Sequence, residues 1–199
     1  MTSTNGTNAT SNAVTLTVKA AITTQPTGFS GKIGDTAKFT VAASGAGTLS
    51  YQWQCDTGKG FKDSTASGAK TATLSIPVAA ARDGYKYRCI VKSSNGTSAT
   101  SKTVTLTVKT AITTQPKNYT GAIGTTAKFT VAASGVGTLS YQWQNYTSSG
   151  WKDSGLATAK TAELSVPVTA ARNGYKYRCI VTSSNGTSAT SNAVTLKVQ

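Results

Sequence analysis

Any chemistry in this sequence must be built from three cysteines, six carboxylates and twenty cationic side chains, because its 199 residues include no histidine. General acid–base work near neutral pH draws first on histidine, so the commonest proton-transfer device is missing. Paired carboxylates are the next resort. The acids are Asp35, Asp56, Asp63, Asp83, Asp153 and Glu163, and only the last two fall in the second half of the chain. Glu163 alternates with Ala162 and Leu164, a pattern that points it outward from a strand. Metal sites fail for the same shortage of His and acids. Two covalent chemistries find no footing either. An isopeptide bond needs a Lys beside a buried acid, whereas Lys38 and Lys128 alternate with apolar residues and face outward. A thioester needs an accessible thiol, and Cys179 sits on an apolar stripe. The sequence is expected to be non-enzymatic, with no catalytic, cofactor or metal site.

The elements that carry these groups repeat. TQPTGFSGKIGDTAKFTVAASGAGTLSYQWQ returns as TQPKNYTGAIGTTAKFTVAASGVGTLSYQWQ, ninety residues on and without a gap. Asn95-Gly96-Thr97 returns as Asn185-Gly186-Thr187 and also occurs earlier as Asn5-Gly6-Thr7. Complete units are predicted over 20–109 and 110–199, and residues 1–19 read as the closing hairpin of a preceding repeat. Because Met1 interrupts a repeat, the sequence reads as an excerpt of a longer array.

Within a unit the apolar residues alternate. Ala37, Phe39, Val41 and Ala43 form one run, Leu49, Tyr51 and Trp53 the next, followed by Leu74, Ile76 and Val78. Tyr85, Tyr87, Cys89 and Val91, then Val104, Leu106 and Val108, complete the series. A period of two with one apolar face marks half-buried antiparallel strands. Asn95-Gly96 predicts a type I′ hairpin, and Ala79–Arg82 a single helical turn. About seven short strands per unit, separated by turns, predict an all-β sandwich.

Trp53 in Tyr-Gln-Trp-Gln, followed 36 positions later by Cys89 in Tyr-Lys-Tyr-Arg-Cys, resembles the Trp and Tyr-x-Cys pattern of immunoglobulin domains. Trp143, Tyr177 and Cys179 repeat it. Across nearly the whole chain the pattern is similar to bacterial immunoglobulin-like tandem repeats on surface proteins of Gram-positive anaerobes. The resemblance implies two such sandwiches, an extracellular location on a cell surface or in a secreted protein, and Tyr87 as the residue of a tyrosine corner. It also implies a strand cysteine opposite Cys89, near Phe39 or Val41. Neither is Cys, so the disulfide between sheets is expected to be absent, with Cys89 and Cys179 as buried thiols. A Cys55–Cys89 link in unit one stays open, although unit two has Asn145 in place of Cys55.

A net charge of +14 is the feature with functional promise. In the implied fold Lys86, Arg88 and Lys92 face out beside Gln52 and Gln54, and Lys176 and Arg178 repeat this beside Gln142 and Gln144. Such a stripe is a candidate site for a host protein, an immunoglobulin included, or for an anionic glycan. The bland alternative is a solubilising surface. Phe61 and Trp151, in Gly-Phe-Lys-Asp and Gly-Trp-Lys-Asp, are expected to pack over the rim of the sandwich. Nothing points to specific nucleic-acid binding, and no run is long enough to enter a membrane. The chain is expected to be monomeric, with its N-terminal strand open to pairing with another molecule. Three roles follow: a spacer or stalk, an adhesin module, or an accessory module of a secreted glycoside hydrolase. Asn-x-Thr triplets at Asn5, Asn8, Asn95, Asn118, Asn145 and Asn185 read as turn and loop chemistry.

Overall fold

A computed structural model describes Gly6 and residues 10–199. Unit one contains β1 (Ala21–Thr24), β2 (Phe29–Lys32), β3 (Thr36–Thr40), β4 (Ala42–Ser44) and β5 (Leu49–Asp56). It continues with β6 (Phe61–Asp63), β7 (Thr73–Pro77), β8 (Lys86–Ser93), β9 (Ser98–Thr100) and β10 (Val104–Lys109). Unit two repeats the series as β11 (Ala111–Thr114), β12 (Tyr119–Gly121), β13 (Thr126–Thr130), β14 (Ala132–Ser134) and β15 (Leu139–Thr147). Then come β16 (Gly150–Asp153), β17 (Glu163–Pro167), β18 (Lys176–Ser183), β19 (Ser188–Thr190) and β20 (Val194–Val198). The predicted helical turn is a 3-10 turn at Ala80–Arg82, repeated at Ala170–Arg172.

In unit one, one layer pairs β1 with β4 and β3 with β7, and the other runs β2-β10-β8-β5-β6 with β9 on β8. The β2–β10 pair is parallel. Ten segments stand against the expected seven or so, and two of the extra ones arise because two strands are interrupted. Val41 donates its N–H to Ala72 O, which separates β3 from β4. Between β9 and β10, Ser101 Oγ accepts the Cys89 N–H at 2.9 Å.

The alternating residues meet between the layers. Ala37, Phe39, Trp53, Leu74, Cys89, Val91, Leu106 and Val108 are all fully buried. Phe39, one of the two positions expected of the missing strand cysteine, sets its ring centroid 4.8 Å from Tyr87 and 6.4 Å from Trp53. The loop between β6 and β7 closes over the indole, whose Nε1 donates to Thr71 O at 3.0 Å. Gly68 in this loop has φ +81°, and a Cβ there would meet Thr73 O at 2.0 Å, so glycine is required.

Three expectations need correction or closing. Among the described residues no non-glycine residue has positive φ, so Asn95-Gly96 is not a type I′ turn. Gly96 N donates to Ser93 O and Gly96 carries φ +87°, a β-turn over 93–96 that ends on a left-handed glycine, as in a three-residue hairpin loop. Asn95 keeps an ordinary backbone because its Oδ1 accepts the N–H and the hydroxyl of Thr97. The open disulfide is settled by register: Cys55 lies opposite Tyr87 while Cys89 lies opposite Trp53, and all three cysteines are free. The expected hairpin of residues 1–19 lies partly outside the described residues. Its described part, 10–19, holds no strand, and Val14 and Leu16 are 95% and 89% exposed.

Candidate functional site

The outward face of β8 places Arg88 beside Gln54, and Gln54 beside Asp63 on β6. Arg88 Nε donates to Gln54 Oε1 at 2.9 Å, and Gln54 Nε2 donates to Asp63 Oδ1 at 2.8 Å. The guanidinium lies over the Phe61 ring, 4.0 Å from its centroid. Unit two repeats the stack. Arg178 donates to Gln144 and Gln144 to Asp153, both at 2.9 Å, with Arg178 4.3 Å from the Trp151 centroid.

The predicted stripe is thus partly consumed within the sheet. Its arginines are half-buried, stacked on an aromatic ring and tied to a glutamine. Gln52 and Gln142 turn their amides to the carbonyls of Trp53 and Trp143 at 2.8 Å. Lys86 and Lys176 stay exposed. A cation–π contact with a hydrogen bond on its flank stitches the edge strands β6 and β16 onto their sheets. Sequence reasoning did not attach Phe61, Trp151, Asp63 or Asp153 to this stripe. Their signal was the repeated Gly-aromatic-Lys-Asp, which sets aromatic and acid two residues apart and so on one face of a strand.

A second constellation lies where the units meet. Thr110 alone separates β10 from β11, and it is buried. Asn185 Nδ2 donates to Val108 O at 2.8 Å and to Asp83 Oδ2 at 3.1 Å. Asp83 Oδ1 accepts the Val108 N–H at 2.7 Å. Thr110 N donates to Thr187 Oγ1 at 2.9 Å, and the Thr110 hydroxyl meets Ser183 Oγ at 2.8 Å. Val136 of unit two packs against the core of unit one. The preceding segment holds unit one in the same way: Asn95 Nδ2 donates to Val18 O at 2.7 Å, and Ala20 N to Thr97 Oγ1 at 2.8 Å. The Asn-Gly-Thr motif therefore grips the segment that leads into its own unit, 77 residues earlier in both cases.

The thiols are chemically quiet. Burial pushes Cys89 and Cys179 up to about 11, so both stay protonated at neutral pH. Burial also raises Cys55, partly offset by the Tyr87 hydroxyl bonded to it. Among the described residues no group of three His, Cys, Asp or Glu side chains is placed to hold a metal. The one ion pair among them is Lys128–Glu163 at 3.0 Å, on the surface.

These sandwiches are immunoglobulin-like domain repeats, and residues 20–108 match the immunoglobulin I-set domain family. Endoglucanase C of Cellulomonas fimi is 36% identical over 173 residues, a stretch that covers 85% of this chain. The matched stretch is 15% of that enzyme's length. Solved relatives in fold include tandem Ig repeats of Dlar, at 24% identity and TM-score 0.38, covering 92% of this chain and 98% of that one. The four N-terminal Ig domains of Dscam1 isoform 6.9 align at 20% identity and TM-score 0.46, covering 94% and 48%.

Proposed function

We propose that the chain is a non-catalytic connecting module that holds neighbouring parts of a larger secreted protein in a stiff series. The carrying observation is the junction, where one asparagine side chain bonds the exit strand and a turn carboxylate of unit one. A flexible tether would leave such groups to water. Here each is paired with a fixed partner, and ordering them favours one relative orientation of the units. The same grip of Asn95 on Val18 supports a repeating linkage of this kind. Replacing Asn185 and Thr187 together with Ala tests this. Small-angle scattering should show one extended shape for the parent chain and a broader spread of interdomain distances for the variant. An unchanged scattering curve would remove the junction from the account.

The kind of protein so connected is a second element of the proposal. The likeness to Endoglucanase C, spread over most of this chain but a small share of that enzyme, supports an accessory role beside a catalytic domain of a secreted polysaccharide-degrading enzyme. Among the described residues no helix is long and apolar enough to cross a membrane. Deleting the two units from the parent enzyme should leave soluble-substrate turnover unchanged and lower activity on an insoluble polymer. Equal loss on both substrates would contradict a connecting role.

A further inference from the structure

Each unit carries a cleft at the end of the sandwich where the 3-10 turn meets the β5–β6 or β15–β16 hairpin. In unit one it holds about 420 Å³ and is lined by Cys55, Lys59, Lys62, Arg82, Tyr85 and Tyr87, among others. In unit two it holds about 350 Å³ and is lined by Asn145, Ser154, Leu156, Arg172, Tyr175 and Tyr177. Volumes of this size suit a small ligand rather than a folded partner. An arginine and two tyrosines recur at equivalent places, although the hairpins beside them differ in sequence.

The arginines are held in place. Arg82 Nη1 donates to Pro77 O and Arg172 Nη1 to Pro167 O, both at 2.9 Å, which leaves the other guanidinium N–H groups for a ligand. Each cleft has one outer tyrosine, Tyr85 half-buried and Tyr175 41% exposed, and one inner tyrosine that belongs to the core. The charge is one-sided. Lys59, Lys62 and Arg82 line the unit-one cleft with a single carboxylate, Asp63, and no acid lines the unit-two cleft with Arg172. A tyrosine ring offers an apolar face to a sugar, and a fixed guanidinium matches a carboxylate in a planar fork.

We propose that each cleft takes one carboxylated sugar residue of an acidic polysaccharide, stacked on Tyr85 or Tyr175 with its carboxylate on Arg82 or Arg172. This goes beyond the connecting role and does not depend on it. Two equivalent clefts on one chain would bind a long polymer far more tightly than a short oligomer.

The test uses the full chain, titrated with trigalacturonate and with cellotriose as the neutral arm, and followed by backbone amide shifts in NMR. Saturable shifts around Tyr85 and Tyr175 are expected with trigalacturonate only. Tyr85→Ala combined with Tyr175→Ala should weaken binding at least tenfold. Lys70→Gln combined with Lys160→Gln, exposed and lining neither cleft, should change it less than twofold. Arg172→Lys keeps the charge but loses the fork, and should give an intermediate loss confined to unit two. Equal losses from the tyrosine and lysine pairs would show that net charge drives the binding and would overturn the proposal. So would equal binding of cellotriose, full competition by an acidic peptide, or no saturable shift with either sugar.

Discussion

In unit one the hairpin between β5 and β6 turns on a carboxylate: Asp56 Oδ1 accepts the N–H groups of Gly58 and Gly60 at 2.8 and 2.9 Å. In unit two Tyr146 stands there instead, its ring 5.3 Å from that of Trp151, and Thr147 Oγ1 closes the turn onto Gly150 O at 2.9 Å. Two sequences thus solve one turn by different chemistry. The buried cores differ in residue type at only one matched position, Ile76 against Val166. Phe39–Trp53 and Phe129–Trp143 both stand at 6.4 Å, and each indole donates to the equivalent threonine carbonyl. The difference teaches where the fold is constrained. Close-packed interiors feel a single methylene, whereas an exposed turn has water to replace a lost partner.

The largest expected effect breaks one unit and spares the other. Trp53→Ala should cost unit one about 3–5 kcal/mol, from lost burial and the cavity left behind. Trp143→Ala should do the same to unit two. Denaturant unfolding should resolve two transitions in either variant, only one of them shifted. A single shifted transition would mean that the units unfold together.

Alkali should act on each unit through its matched buried thiol. Cys89 and Cys179 are raised from an ordinary 9.0 to about 11 in the folded chain. A raised folded value means that the protonated form favours folding. This stabilisation is whole below pH 9 and is lost as pH rises towards 11, on the order of 2–3 kcal/mol for each thiol. Cys89→Ala combined with Cys179→Ala should flatten the decline in melting temperature over that window. Reductant should leave the melting of both units unchanged at neutral pH, since the cysteines are free.

The hairpin comparison sharpens with a smaller effect. Asp56→Ala removes the acceptor for two backbone N–H groups and should cost unit one about 1–2 kcal/mol. Tyr146→Ala trims a ring that is 51% exposed and should move unit two by under about 0.5 kcal/mol. Equal shifts in thermal melts would show that the two turns are not separate solutions.

Much of the interior was legible because alternation reports burial locally. Phe39, Trp53, Leu74, Cys89 and Leu106 fall on strands whose period places them inward without knowledge of their partners. The roles of Asn95 and Asn185 were legible only in part. Their turn is local, but each side chain bonds a carbonyl 77 residues away, beyond the reach of any local pattern. The stripe failed to read through for a related reason. Period two shows that Arg88 and Gln54 face outward, yet not that a ring and a carboxylate on the adjoining strand engage them. The clefts were invisible because Cys55 on β5 converges with Arg82 and Tyr85 from a turn some way along the chain.

The central claim is that the junction holds the two units in one orientation. Residual dipolar couplings of the full chain in a dilute aligned medium test it most directly, since they report the orientation of each unit independently. The account predicts that a single alignment tensor fits the amides of both units, and that Asn185→Ala splits it into two. Two unlike tensors in the parent chain would contradict the account, because the units would then reorient about Thr110 despite its bonds to Ser183 and Thr187.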